Sequence, residues 1–174
     1  MLEVNKLKEQ FIKNEILTSS IIGAFGRNKI YKNGINDKQR NLLKQYIRER
    51  LPKYENFYKH KKSSSDHIRE IVRIKIEFSK KFKYILNGNE ITIGTVQKLL
   101  NLYLKYLWVL NYIPEPPHCP IDGIVIQELE KVANKNLPNW PKMGRKDYQE
   151  CIDIINKIKE YKSVATWELN FWNN

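Results

Sequence analysis

One face of the most apolar stretch of the chain carries the side chains whose types and spacing could do chemistry. Between residues 95 and 110 nearly every position is apolar, and the polar exceptions are Gln97, Lys98, Asn101 and Lys105. Their spacings of three, four and seven residues bring all four onto one face of a helix. Because buried polar groups need partners, we expect an acid close by, and we take Asp122, downstream of the helix, as that acid.

We assign catalytic roles to Asp122 and Lys98 on the basis of this pattern. A carboxylate stabilises the positive charge that builds on a sugar when an N-glycosidic bond breaks. A lysine amine becomes nucleophilic when desolvation lowers its pKa. Gln97 and Asn101 are then the candidate base readers, and Trp108 is a candidate aromatic wall for a flipped base.

Each of these roles has a simpler alternative. Asp122 follows Pro120, where a new helix can start, so its carboxylate could serve only as a helix cap. The ammonium groups of Lys98 and Lys105 could reach out of the core into solvent, which is the interpretation we prefer for Lys105.

The order of these features resembles the core of helix-hairpin-helix DNA glycosylases, in particular the 8-oxoguanine DNA glycosylase fold. The resemblance covers residues 87–126: a glycine-containing hairpin (ITIGT), a buried helix, a proline-ended linker (PEPPHCP) and an Asp just inside the next helix. It implies that the amides around Gly94 and Thr95 hold a DNA phosphate and that Asp122 assists base removal.

Two departures from the family pattern bear on the catalytic lysine. Bifunctional members carry a nucleophilic lysine two positions after the hairpin glycine, whereas Val96 stands there in this chain and the first lysine is Lys98. Asp122 follows Lys98 by 24 residues, a longer separation than the family pattern leads us to expect. A monofunctional glycosylase, in which Asp122 acts alone on a water, and a protein with no enzymatic activity therefore stay open.

The net charge of the chain is confined to one third of its length. The whole chain has 31 basic and 19 acidic residues, and the segment Arg27–Lys83 alone has 18 basic and 6 acidic ones. A localised surplus of this size points first to nucleic acid and second to an anionic membrane surface. A lysine-rich solvated surface without a ligand is the alternative. On the predicted helix of residues 64–86 we assign DNA contacts to Arg69, Arg73 and Lys80.

Cysteines and histidines give no metal or redox motif. Cys119 and Cys151 are not spaced as a metal or disulfide pair, and His118 adjoins Cys119 too closely for both to bind one ion. We therefore expect no metal and no cofactor, and expect His118 and Cys119 to shape the turn or to line the mouth of a substrate pocket. The charged N-terminus and the lack of a long uncharged apolar run predict a cytoplasmic protein that is not an integral membrane protein.

Hydrophobic periodicity of the helical type predicts an all-α domain of about seven helices over residues 1–174, without strands. It contains the basic region of residues 26–84 and the central buried helix. We expect a break in the first helix near Ser19 and Ser20, caps at Asp37 and at Ser64 or Ser65, and burial of Leu99, Leu100, Tyr103, Leu107 and Leu110.

These patterns together predict a monomeric DNA-binding protein, of the glycosylase type, that excises a modified or damaged base from duplex DNA. The alternative is a non-catalytic DNA- or RNA-binding protein that uses the same basic surface. A third possibility is an interaction protein whose basic face meets an acidic partner.

Overall fold

Helices form nearly all of the regular structure in the computed structural model, which describes residues 2–26, 28–160 and 163–173. Within this part of the chain there is no β-strand, and the predicted all-α class is confirmed. The eight α-helices are α1 (Leu2–Phe25), α2 (Asp37–Arg50), α3 (Pro52–Tyr58), α4 (Ser64–Phe82), α5 (Ile93–Val109), α6 (Gly123–Ala133), α7 (Arg145–Ile158) and α8 (Val164–Asn173). Two short 3-10 helices lie at Asn87–Asn89 and Trp140–Lys142.

The central helix is α5, as the sequence predicts. The helix α1 packs along one side of it and α4 along another, while the 3-10 helix at Trp140–Lys142 covers its beginning. The contact with α1 is close at Gly23, where an added Cβ would lie 2.6 Å from Cδ1 of Leu102. The apolar side chains of α5 thus have neighbours on most sides, which explains why the helix is apolar around most of its circumference.

Helix starts are set by side chains one position before those predicted. Asn36, not Asp37, caps α2: its side chain accepts a hydrogen bond from the amide of Gln39, whose side chain accepts one from the amide of Asn36. Ser63, not Ser64 or Ser65, caps α4. A capping side chain must accept from an amide two or three residues ahead, and only the earlier residue has the extended backbone that allows this.

The first helix is continuous, so the predicted break near Ser19 and Ser20 is wrong. The hydroxyl of Ser20 donates a hydrogen bond to the carbonyl of Ile16, one turn earlier, at 2.8 Å. This bond satisfies the buried hydroxyl inside the helix, and the serine therefore does not end it.

The segment Ile91–Thr95 does not form the short hairpin predicted before α5. Thr92 is the N-cap of α5 and its hydroxyl accepts from the amide of Thr95, so Gly94 lies in the first turn of the helix. An added Cβ at Gly94 would come 1.6 Å from the carbonyl oxygen of Trp140. Glycine is needed here because another backbone packs against it, and not because of a turn.

Leu99, Leu100, Tyr103 and Leu107 are each at most 1% exposed, as predicted, but Leu110 is 45% exposed. The helix ends at Val109, and Asn111 follows with a positive φ of 61°. Because the helix ends there, Leu110 does not lie on the core-facing side where a continued helix would have placed it.

The Leu107→Ala variant should lose on the order of 2–5 kcal/mol of unfolding free energy, because it removes buried methyl groups and leaves a cavity. The matched variant Leu110→Ala removes the same atoms from an exposed position and should lose less than about 1 kcal/mol. Chemical denaturation of both variants checks the difference. Equal losses would contradict the central position of α5.

Candidate functional site

The polar face of α5 is divided between a buried hydrogen-bond network and an open cleft. Gln97 belongs to the network: its amide donates to the carbonyl of Ile121 at 2.6 Å and its oxygen accepts from the amide of the same residue at 3.0 Å. Gln97 is completely buried. Because both ends of its carboxamide are used, Gln97 fixes the backbone of residue 121 against α5.

Asn101 is the hub of this network. Its oxygen accepts from Nε2 of His67 at 2.8 Å, and its amide nitrogen lies 2.8 Å from the carbonyl of Cys119 and 3.0 Å from the hydroxyl of Tyr148. One carboxamide therefore joins α4, α5, α7 and the segment before α6.

The two buried histidines are hydrogen-bonded at both ring nitrogens. Nδ1 of His67 lies 2.7 Å from the hydroxyl of Tyr58, and Nδ1 of His118 lies 2.8 Å from the hydroxyl of Tyr148. The side-chain oxygen of Asn101 accepts from Nε2 of His67, so the hydroxyl of Tyr58 donates to Nδ1 of this ring. Nε2 of His118 lies 2.7 Å from the hydroxyl of Ser64, which can donate or accept, so all of these bonds are satisfied with both rings neutral.

Burial favours the same neutral state. It lowers the pKa of His67 to about 4, although the hydrogen bond to Asn101 acts in the opposite direction. Burial also lowers the pKa of His118 well below its ordinary value, and the neighbouring His67 adds to this. The rings meet edge to face with their centres 4.8 Å apart.

Three predicted binding residues therefore take another role. Gln97 and Asn101 are fully buried and His118 is 1% exposed, so none of the three is available to a substrate. The prediction that His118 lies at a pocket mouth is wrong, because its ring is part of the core network. Sequence analysis did not find His67 and Tyr148, although His67 shares the apolar face of α4 with Ile71 and Ile74.

The open half of the polar face lines a cleft of about 630 Å³ between α1, α5, α6 and α8. Within it, Nζ of Lys98 lies 3.4 Å from Oδ2 of Asp122. The ammonium group of Lys98 also lies over the ring of Trp140, 4.5 Å from its centre. The residues that we assigned to catalysis thus meet in one cleft, whose lining comprises Ser19, Ile22, Gly23, Gly26, Lys98, Leu102, Lys105, Tyr106, Pro120, Asp122, Ile124, Glu168 and Trp172.

Asp122 has both of the arrangements that its position in the sequence suggested. It is the N-cap of α6, which begins at Gly123 and not at Pro120, and its Oδ1 accepts from the amides of Ile124 at 3.0 Å and Val125 at 3.2 Å. Its other oxygen faces Lys98. Capping and a chemical role are therefore compatible in this geometry.

A second ion pair in the cleft was missed by sequence analysis. Nζ of Lys105 lies 2.8 Å from Oε2 of Glu168, a residue of α8 that is 2% exposed. Burial raises the pKa of Glu168, while Lys105 acts to lower it and the Asp122 carboxylate adds to the rise. Lys105 therefore does not reach into solvent as predicted, because the docking of α8 brings an acid to it.

The predicted phosphate contacts at the start of α5 are covered. The amide of Gly94 donates to the carbonyl of Met143 at 3.0 Å. Thr95 is 1% exposed, and its hydroxyl bonds to Thr92 and to the side-chain amide of Asn28. Neither residue has a free N–H for a phosphate.

The predicted aromatic wall is formed by another residue. Trp108 is half-buried and does not line the cleft, whereas Trp172 does and contributes its indole.

The predicted DNA contacts on α4 are exposed, but they lie away from the cleft. Arg69 and Arg73 pair with Asp66 and Glu70 on their own helix, and Lys80 is exposed near its end. None of the described residues that line the cleft belongs to α4. Arg27, the first residue of the predicted basic segment, lies outside the described residues.

The described residues include no group of three histidines, cysteines or carboxylates that could hold a metal ion. Cys119 and Cys151 are buried free thiols whose pKa values burial raises, that of Cys151 to about 12. In the described chain, no helix combines the length and apolarity needed to cross a membrane.

No family model, no curated protein and no solved structure matches the chain.

The buried histidines should make the protein sensitive to acid. Unfolding restores the ordinary pKa of His67, so stability that is present above about pH 6.5 should be lost as the pH falls towards about 4. Replacing the ring with a neutral amide, in His67→Gln, should lower stability at pH 7 and flatten this dependence. Urea unfolding at several pH values measures both effects. The exposed His60→Gln control should keep the full dependence; an equal slope in all three proteins would contradict the neutral, buried state.

Proposed function

We propose that the protein binds nucleic acid through the basic surface of residues 28–83. The observation that carries this proposal is that most acids in the segment are already paired, while most of its basic residues are not. Five of its six carboxylates form ion pairs: Asp37, Glu55, Asp66, Glu70 and Glu77. From Lys29 to Lys83 the described residues include 17 lysines and arginines. Five of these are paired with an acid, and the other twelve have no acidic partner.

A polyanion is the ligand that suits such a surface. Each phosphate that a lysine or arginine neutralises releases condensed counterions, and the gain in entropy favours binding. Ion pairs between exposed side chains are weak, so the arginines of α4 can exchange their carboxylate partners for phosphates at little cost. Arg69 and Arg73 line a shallow groove together with Arg145 from α7, which widens the basic surface beyond the segment itself.

A second candidate function is removal of a base at the cleft, and the pairing of Lys98 with Asp122 favours it. The Lys98 ammonium and two backbone amides face the Asp122 carboxylate. A carboxylate held in this way can lie beside a sugar and stabilise its oxocarbenium-like transition state. Tyr106 and Trp172, which line the cleft, offer aromatic surface to a base.

In this reaction water, or the amine of Lys98, attacks C1′ of the sugar while the bond to the base breaks, and the attacking group gives up a proton to the Asp122 carboxylate. The base leaves with the bonding electrons and takes up a proton. Glu168 is the second carboxyl group in the cleft and the candidate proton donor, and burial raises its pKa. Nζ of Lys98 is engaged with the Asp122 carboxylate and with the Trp140 ring. We therefore favour water as the nucleophile in this second function.

Binding to duplex DNA should weaken steeply with salt, and replacing Arg69, Arg73 and Lys80 with Ala should reduce the log–log slope by up to about 0.9 for each phosphate that is no longer neutralised. Fluorescence anisotropy over a range of salt concentrations measures this slope. The control replaces exposed Lys6, Lys8 and Lys157 with Ala, an equal change of charge outside the segment. No binding at low salt, or equal effects of the two triple variants, would contradict binding through the basic surface.

The Asp122→Asn variant should keep its fold, because asparagine caps a helix as well as aspartate does. If the cleft excises a base, abasic-site formation on a panel of lesion-containing duplexes should fall at least about a hundredfold, equivalent to about 2.7 kcal/mol of transition-state stabilisation. The control Asp153→Asn changes an exposed carboxylate of α7. Equal activity of the two variants, or no excision by the wild-type protein, would contradict base removal at the cleft. Neither result would bear on the proposed binding of nucleic acid.

A further inference from the structure

A cavity of about 760 Å³ lies beyond the end of α1 and is separate from the cleft at Asp122. The loop of residues 28–34 forms most of it, and single residues of α1, α2 and the turn after α4 complete it. Its volume is in the range of small-molecule sites. Its lining consists of Phe25, Asn28, Lys29, Ile30, Tyr31, Lys32, Asn33, Gly34, Arg40 and Asn87.

The backbone of this loop is held in place by the segment that follows α4. Tyr31 and Leu86 form an isolated antiparallel bridge. Beside it, the amide of Lys32 donates to the carbonyl of Ile85 at 2.9 Å, and the amide of Asn87 donates to the carbonyl of Ile30 at 2.7 Å. Backbone hydrogen bonds therefore hold the wall of the cavity in place. They fix the backbone positions of the side chains that a ligand would contact.

Three cations line the cavity, and none of its lining residues is acidic. Nζ of Lys32 is oriented by the carbonyl of Lys83 at 3.1 Å and by the side-chain oxygen of Asn89 at 2.7 Å. Lys29 is exposed and has no acidic partner among the described residues. The carboxylate of Asp37 faces Arg40 at 3.8 Å but does not line the cavity.

Two hydrogen-bond donors of the wall have no acceptor within the described protein. They are the hydroxyl of Tyr31 and Nε of Arg40, both shielded from solvent. The guanidinium of Arg40 lies over the ring of Tyr31, 5.4 Å from its centre. Burial raises the pKa of Tyr31 to about 12, so its hydroxyl keeps its proton and remains a donor. Both donors belong to residues that line the cavity, and they suit an anionic ligand with oxygen acceptors.

A second cavity of about 340 Å³ adjoins the first and shares with it Asn28, Lys29, Ile30 and Asn87. It adds the amide side chain of Asn139 and the ammonium group of Lys142. Its one carboxylate, Glu90, is paired with Lys75. Asparagine amides both donate and accept hydrogen bonds, which suits the polar edge of a base next to a phosphate site.

We propose that the two cavities together bind a nucleotide, with its phosphate between Lys29, Lys32 and Arg40 and its base towards Asn28, Asn87 and Asn139. The nucleotide is either free or part of a strand, because the phosphate and the base present the same chemistry in both. This site does not depend on the proposed duplex binding, since its charges and unpaired donors lie in one cavity.

The test measures the affinity of the full chain for AMP, adenosine, inorganic phosphate and a single strand of about ten thymidines, by calorimetry for the first three and by anisotropy for the last. The variants are Lys29→Gln and Arg40→Gln, with Arg40→Lys to retain the charge. Lys53→Gln is the control, because it removes a lysine of α3 that lines neither cavity.

The proposal expects AMP to bind better than adenosine or phosphate alone, and each Gln variant to weaken binding about tenfold while Lys53→Gln leaves it unchanged. The affinity of the Arg40→Lys variant should lie between that of the wild-type protein and that of Arg40→Gln. If AMP does not bind but the strand does, with the same pattern among the variants, the nucleotide is one within a strand. Equal effects of Lys53→Gln and Lys29→Gln on both probes, or binding of neither probe, would overturn the site. AMP binding without binding of either the duplex or the single strand would keep this site and refute the proposed function.

Discussion

The carboxamide of Asn101 is the interaction on which the rest of the structure depends. In the middle of α5 it bonds to His67 of α4, to the backbone of residue 119 and to Tyr148 of α7. A buried polar group costs free energy unless it is paired, so these bonds favour the observed arrangement of the three segments around α5. The arrangement also sets the rotation of α5. With Asn101 turned towards α4 and α7, Lys98 and Lys105 face the opening between α1, α6 and α8.

The cleft is a consequence of the same network. Gln97 holds the backbone of Ile121 at both its amide and its carbonyl, and Asp122 follows directly. Its side chain then has two backbone amides of α6 on one oxygen and Lys98 on the other. On the far side of Lys98, the close approach of Gly94 to the chain at residue 140 brings the Trp140 ring under the ammonium group. The position of the Lys98–Asp122 pair is thus determined by residues that do not line the cleft.

The distribution of charge has a different origin from the network. Five of the six acids of the basic segment form ion pairs, three of them with a residue three positions away on the same helix. The basic residues that have no acidic partner are dispersed over α2, α3, α4 and the loops. In the loop of residues 28–34, backbone bonds to residues 85–87 bring Lys29 and Lys32 to one cavity, which Arg40 of α2 also lines. At this loop, basic residues of the segment line one cavity.

The sequence by itself determined the helical class, the central position of α5 and the need for partners along its polar face, because helical periodicity is a local property of the chain. It also brought Lys98 and Asp122 together as a hypothesis. It did not determine which polar residues would be buried: His67, Tyr148 and Glu168 come from segments 34, 47 and 63 residues away from their partners on α5. Periodicity carries no information about such pairings. Only the packing of α4, α7 and α8 decided that Gln97, Asn101 and His118 became part of the core, while Lys98, Asp122, Lys105 and Glu168 became the cleft.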